Sequence, residues 1–432
     1  MSNTPDFKKE VNSWKKEGII EDYQAERILA KYDLAKAPKT PKKTQKVEYE
    51  AEEDHHHHHR SSKTIAVIST LGAILVGIGV ILFVASNWRA IPDFAKIILL
   101  FGTTSATYFA GWKLKFDKPN YPAVGESLLL LASLFVGATI FLTAQIYNVP
   151  ANSSFLILLW FLAIAPLSYA LSSNPILVIS ILTFAGWMRA ELGGYFNANF
   201  FSTMLIFLAF GISLYGAGQL HKMFEKFAKF SIIYQTVGLI YILFSFFFFS
   251  LEIGYRMPST DLFGSFFASA IFAIFVITSI GSIVGVLVSN RSKKAGMYEF
   301  LLLLVSFFGF AVITVVSFLK DNFMSEVTSP YRNSYLQPSE GFLTSMFILF
   351  TLLLFVVAIG TILVGYYKGI TPFVNIGIFF FVIGLAHIYL NTAYRFLPRS
   401  IALILGGIFL IAGAVYLEKK RRELIRNMDA NE

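Results

Sequence analysis

The chain has 432 residues, 55% of them hydrophobic and 15% charged, with a mean hydropathy of +0.62. Soluble domains run near 45–50% apolar and about 25% charged, so this composition points to lipid. The absence of Cys excludes disulfides, iron–sulfur centres and thiolate zinc sites, and the net charge of +9 comes from basic residues flanking apolar runs, a topology signal that leaves no nucleic-acid partner expected.

Residues 1–34 predict a small cytoplasmic helical hairpin. Phe7, Val11 and Trp14 recur on one helical face, Gly18 breaks the helix, and Ala25, Ile28, Leu29 and Tyr32 form a second stripe. About thirty residues bury little surface alone, so the segment 4–33 is expected to pack on a protein partner, on itself in a dimer, or on the membrane. A DNA-reading helix-turn-helix is disfavoured, because Arg27 and Lys31 are the only basic residues of its second helix.

Residues 35–63 read as a disordered charged linker rich in Lys, Pro and Glu, with no apolar period. His55 to His59 form a run within it. Imidazoles bind Zn or Ni, but a flexible tract does not preorganise them, so a solvated low-complexity tract is the better reading and neither metal nor cofactor is expected.

Residues 64–418 predict a transmembrane helix bundle, and 419–432 a basic cytoplasmic tail. Apolar runs fall at 65–86, 94–112, 125–147, 154–171, 175–191, 199–220, 231–253, 262–289, 298–319, 342–367, 371–391 and 399–417. About twenty helical residues cross the ~30 Å hydrocarbon core, which gives an all-α, polytopic fold of about 12 spans. The pair 154–171 and 175–191 is short, separated by Ser172, Ser173 and Asn174, and compatible with a single broken helical hairpin. Lys and Arg fall about two to one on the segments that face inward if the N-terminus is inside, which places both termini in the cytoplasm. Gly281 and Gly285, and Ala73 and Gly77, have the small-xxx-small spacing of close helix packing.

The stretch LGAILVGIGVILFVASNWRAIPDFAKII at 71–98, followed by GESLLLLASLFVGATIFLTAQIYNVPANSSFLILLW at 125–160, resembles the predicted membrane proteins of domain of unknown function 2157. The pattern of Trp14, Gly18, Gln24, Ala25, Ile28 and Tyr32 is similar to that family's opening segment, so the resemblance spans about 7–190. It implies a prokaryotic cytoplasmic (inner) membrane protein with an attached cytoplasmic hairpin. The family carries no established activity, so no catalytic residue follows from it.

Intramembrane ionisable groups are costly and are therefore functional candidates. Glu126 opens the third run and is a proton-carrier candidate if buried; its structural alternative is an interfacial acid at a helix N-terminus. Gln145 and Tyr147 lie five to six turns along the same run, out of its reach. Arg189 and Glu191 form a candidate ligand pair or an interface anchor with its counter-charge. His387 is a relay candidate near Asn391 and Tyr394, or a hydrogen-bonded bundle histidine. Arg89, Arg256, Arg395 and Arg399, with Arg189, would form an outer basic rim if folding brought them together.

Motifs of ATP hydrolysis and of zinc, serine or aspartyl intramembrane hydrolysis are missing, which argues against an enzyme. Two functions of different class follow. One is a transporter or translocator of lipid or an anionic solute; the other is a membrane scaffold or sensor that recruits a partner through the hairpin. A membrane-embedded transferase using Asp321, Glu326 and Glu340 of the 320–341 loop is a third.

Overall fold

The computed structural model describes residues 11, 13–15, 53–87, 91–117, 121–150, 153–194, 200–251, 266–289, 294–329 and 332–396, and helical positions scattered between 401 and 426. The chain divides into two units, 1–63 and 64–432. Of the expected hairpin, only 11 and 13–15 are described, and they are helical; the remainder lies outside the described residues.

The elements with described bounds are almost all helices, because apolar runs that face lipid must satisfy every backbone group within their own segment. In chain order they are α1 Glu53–Asn87, α2 Asp93–Trp112, α3 Pro122–Ile146, α4 Ser154–Ala170, α5 Asn174–Gly194, α6 Phe200–Lys222, α7 Ala228–Phe249, α8 Phe266–Ser289, α9 Lys294–Phe318, α10 Glu340–Lys368 and α11 Thr371–Phe396. α1 opens at Glu53, so residues 53–63, expected as part of a disordered linker, are helical. Acids at 53 and 54 favour a helix N-terminus, and 53–71 contains no Pro or Gly to interrupt the helix.

The two ends of α10 illustrate how sequence sets the limits. Ser339 is the N-cap and accepts from Phe342 N at 3.4 Å, Glu340 lies in the first turn, Lys368 in the last, and Gly369 closes the helix at φ 69°. Cap, acid, base and left-handed closing residue all agree. Between α9 and α10 stands the one departure from an all-α chain among the described residues. Strands β1 Met324–Ser329 and β2 Arg332–Pro338 pair antiparallel from Met324↔Pro338, with a bulge between Val327 and Ser329. β-branched and aromatic residues, Val327, Thr328 and Tyr335, suit a pleated ribbon that satisfies its own backbone.

Six helices among the described residues are long and apolar enough to cross a membrane: Pro122–Ile146, Phe201–Lys222, Glu225–Phe249, Ala295–Phe318, Glu340–Lys368 and Thr371–Asn391. Shorter apolar stretches occur at Val67–Val80, Ser154–Ala170 and Phe272–Val286. α6 is the centre of the bundle: 83% of its apolar window is buried, against 28% for α11. It packs on α7, α8 and α9, around fully buried Tyr215, Phe230, Phe246, Phe249 and Phe350. α2 packs on α3, α4 on α5, and α10 on α11. The short fourth and fifth runs do form a tight helical hairpin, closed by Ser172 at φ 51°.

Candidate functional site

One end of the bundle gathers its inward-reaching charges, because antiparallel neighbours bring the end of one helix beside the start of the next. α2 continues past Trp112 as a π-type turn, Lys113–Asp117, and α3 starts opposite it with Pro122 in its first turn. Gly125 makes their approach feasible: a Cβ there would lie 2.4 Å from Lys115 N and 2.8 Å from Gly111 O, both backbone atoms. The next residue, Glu126, thereby meets the Lys115 ammonium in an ion pair. Its other oxygen accepts from Ser173 Oγ at 2.5 Å.

Ser173 belongs to the α4–α5 turn. Ser173 N donates to Ser168 O at 2.9 Å and Ser172 N to Tyr169 O at 3.2 Å, the two bonds of a Schellman closure with Ser172 in the left-handed position usually held by Gly. The last carbonyls of α4 then face two cations. Lys115 Nζ donates to Leu171 O at 2.8 Å and Lys229 Nζ to Ser172 O at 3.0 Å. Beside them Tyr169 OH meets His221 Nε2 at 2.9 Å and Tyr234 OH at 2.7 Å, tying α4 to α6 and α7. His221 Nδ1 lies 2.7 Å from Ala217 O, which can only accept, so Nδ1 is the donor of that bond.

The second carboxylate lies deeper. Glu299, in the second turn of α9, has no exposed surface. Tyr215 OH donates to it at 2.6 Å, Gln219 Nε2 donates to the same oxygen, and Lys368 Nζ pairs with the other. Tyr215 and Gln219 are one helical turn apart on α6, and Lys368 is the last residue of α10.

Two of these three partners, Gln219 and Lys368, also line a cleft of about 1110 Å³ beside α6 and α8. Exposed Lys222 stands at the same end. From there the cleft follows α6 back to Phe210, twelve residues or about 18 Å along the helix, past Leu214, Ile274 and Phe275. Ser213 and Thr278 hydroxyls bond each other at 2.7 Å and helix carbonyls besides, so the far wall offers little unsatisfied polarity. Gly216 sets the α6–α8 separation, since a Cβ there would fall 1.7 Å from Ser282 Oγ. Gly281 and Gly285, expected to pack helices closely, instead line the cleft, with nothing within 4 Å of an added Cβ. Gly77 does face a neighbour closely: a Cβ there would lie 3.0 Å from Leu131 Cδ1.

The other residues singled out from sequence are dispersed. Gln145 and Tyr147 are exposed at the opposite end of α3. Glu191 accepts from Ser154 Oγ on α4; Arg189, two positions earlier, points to another side of α5, as residues i and i+2 must. His387 Nε2 lies 3.4 Å from Ser250 O, with its ring edge-on to Phe247 and Phe347 at 5.6 Å, a bonded place within the bundle. Arg89, Arg256 and Arg399 lie outside the described residues, as do the side chains of Arg395, Asp321 and Glu326; Glu340 sits exposed in the first turn of α10. Among the described residues no His, Asp and Glu group could hold a metal ion.

Reading the sequence alone missed Glu299, Tyr215, Gln219, Lys222 and Lys368. A signal was there. Glu299 is the single acid inside the run 298–319, and Tyr215 and Gln219 recur at i, i+4 near the end of 199–220.

Apolar helices of spanning length make this a multi-pass α-helical membrane protein. Residues 12–177 match the family model described as Predicted membrane protein (DUF2157), in agreement with the resemblance read from 7–190. Neither a curated protein nor a solved structure matches the chain.

Proposed function

We propose that the protein takes up an anionic amphiphile, a lipid with a phosphate-type headgroup, into the cleft beside α6 and α8, as the first step of a lipid-handling translocator. The lysine-ended cleft carries this reading. Its two lysines and its amide, Lys222, Lys368 and Gln219, gather at one end, and its length is walled by Phe210, Leu214, Ile274 and Phe275. A free anion would use only the cationic end, whereas an amphiphile matches both parts. The volume exceeds the roughly 300–1,000 Å³ of sites for drug-sized ligands. Exposed Ile232 and Ile274 on its rim give entry from the lipid side.

The reading takes the chain as about twelve spans in a prokaryotic inner membrane with both termini cytoplasmic, which puts the lysine end of the cleft at the inner leaflet. There, anionic headgroups attract basic residues by about 1 kcal/mol each. The domain division goes with it: hairpin 1–34, linker 35–63, bundle 64–418 and tail 419–432. A second reading, recruitment of a protein partner through the hairpin, is favoured by one observation: the family match begins at residue 12, so most of the hairpin belongs to the shared unit.

The test uses the full chain purified in mild detergent. Short-chain phosphatidylglycerol is expected to bind more tightly than short-chain phosphatidylcholine, and glycerophosphate without chains to bind weakly or not at all. Lys222→Gln is expected to weaken phosphatidylglycerol binding about tenfold. Equal affinity for the two lipids, unchanged by Lys222→Gln, would overturn the proposal.

A further inference from the structure

We infer that Glu299 is an internal anion which competes with the ligand for Lys368, so that filling the cleft is coupled to uptake of one proton by Glu299. The inference rests on the cleft being an anion site, and adds to it a second activity of the same residues.

The geometry has one unusual property. Lys368 and Gln219 are shared: each touches the buried Glu299 carboxylate and each lines the cleft. Lys222, on the cleft side, interacts electrostatically with both Lys368 and Glu299. A headgroup anion drawn to Lys222 and Lys368 therefore arrives beside a carboxylate that no water reaches. Like charges held close in a poorly solvated place disfavour the ionised form of one of them. A diester headgroup stays ionised, so Glu299 is the group that yields.

Among the described charged groups here the charge balance closes. Before binding, Glu299, Lys222 and Lys368 sum to one positive charge. A singly charged headgroup brings one negative charge, and a proton from solution converts the Glu299 carboxylate to the neutral acid, so the sum is unchanged. Lys368 is then released to the ligand, while Tyr215 and Gln219 remain as hydrogen-bond partners of the acid. Of the helices packed on α9, α6 contributes Tyr215, Gln219 and Lys222 and α10 contributes Lys368, while α8 contains no charged residue over Phe266–Ser289. Tyr298 on α9 itself stacks on Tyr367 at 5.2 Å.

Linkage gives the size of the effect. If one proton is taken up per ligand, affinity rises up to tenfold for each unit fall in pH over the range in which unliganded Glu299 is ionised. Calorimetric titration of the full chain with short-chain phosphatidylglycerol, repeated in two buffers of different ionisation enthalpy, measures that proton directly. About one proton per bound lipid is expected for the native chain and none for Glu299→Gln, which should bind phosphatidylglycerol more tightly and without pH dependence. Lys222→Gln serves as the companion variant: weaker binding, with proton uptake per bound lipid retained. Should Glu299→Gln not fold, the affinity of the native chain between about pH 5 and about pH 8 decides, with a flat profile against the inference. Binding without proton uptake, or uptake that persists in Glu299→Gln, would overturn the coupling and leave the cleft reading standing. No binding of phosphatidylglycerol at all would remove the cleft reading, and the coupling with it.

Discussion

Glu126 and Glu299 make an instructive pair. Both lie near the start of a helix, at the same end of the bundle, and each meets one lysine from the end of another helical segment. Their surroundings separate them. The Glu126 side chain is 24% exposed, and its partners, Lys115 and Ser173, come from a turn and a helix junction. The Glu299 side chain is fully buried, and its partners come from two packed helices, the body of α6 and the last residue of α10. The first carboxylate clasps connections. The second stands beside a cleft, and a charge placed there has no water to fall back on. Depth, rather than residue type or pairing, decides what each can do.

Removing one lysine from each pair tests that difference, and the deep pair should give the largest effect. Lys368→Met removes the lysine paired with a fully buried carboxylate, so the unfolding free energy in detergent titrations should fall by about 3–5 kcal/mol. Adding Glu299→Gln should restore most of it, since the buried carboxylate charge is then gone. If single and double variants are equally unstable, Lys368 acts through packing and the contrast fails. Tyr215→Phe comes next. It deletes a 2.6 Å bond to a charged group, a loss of about 1.5–3 kcal/mol in the same titration.

Backbone fit should matter almost as much at the shallow site. Gly125→Ala forces a methyl against Lys115 N and Gly111 O, neither of which can swing aside, for about 1–3 kcal/mol. Gly281→Ala, where an added Cβ meets nothing, is the matched control and should be close to neutral. Equal costs for the two would mean that the α2–α3 approach relaxes freely, and that Gly125 does not position Glu126.

What the sequence makes legible follows from the same physics. Long apolar runs declare spans because lipid admits few alternatives, and the runs at 125–147, 199–220 and 342–367 each hold one of the long helices. Gly125-Glu126 stood out because an acid beside a glycine at the mouth of an apolar run is uncommon. Glu299 did not, because it sits two residues inside its run and reads as part of a charged loop with Lys293 and Lys294. Lys368 was counted as a topology charge, since periodicity does not say that α10 ends against α9. The cleft is lined by residues of five helices, α6 to α10, and no local pattern encodes it. The β1–β2 ribbon was hidden in a loop defined only by lacking an apolar run.

The smallest effect bears most directly on the comparison. Lys115→Met removes the ion pair to Glu126 and a 2.8 Å bond to Leu171 O. Glu126 keeps its 2.5 Å bond from Ser173, and its exposed face lets water solvate the remaining charge. Ser172 O keeps Lys229. A partly exposed pair of this kind is expected to contribute about 0–1 kcal/mol, and salt screens it further. The same titration, run at low and at high salt, should therefore show a loss of that size that shrinks as salt rises. A loss as large as that of Lys368→Met, indifferent to salt, would mean that Glu126 is sealed as Glu299 is. The functional distinction between the two carboxylates would then collapse.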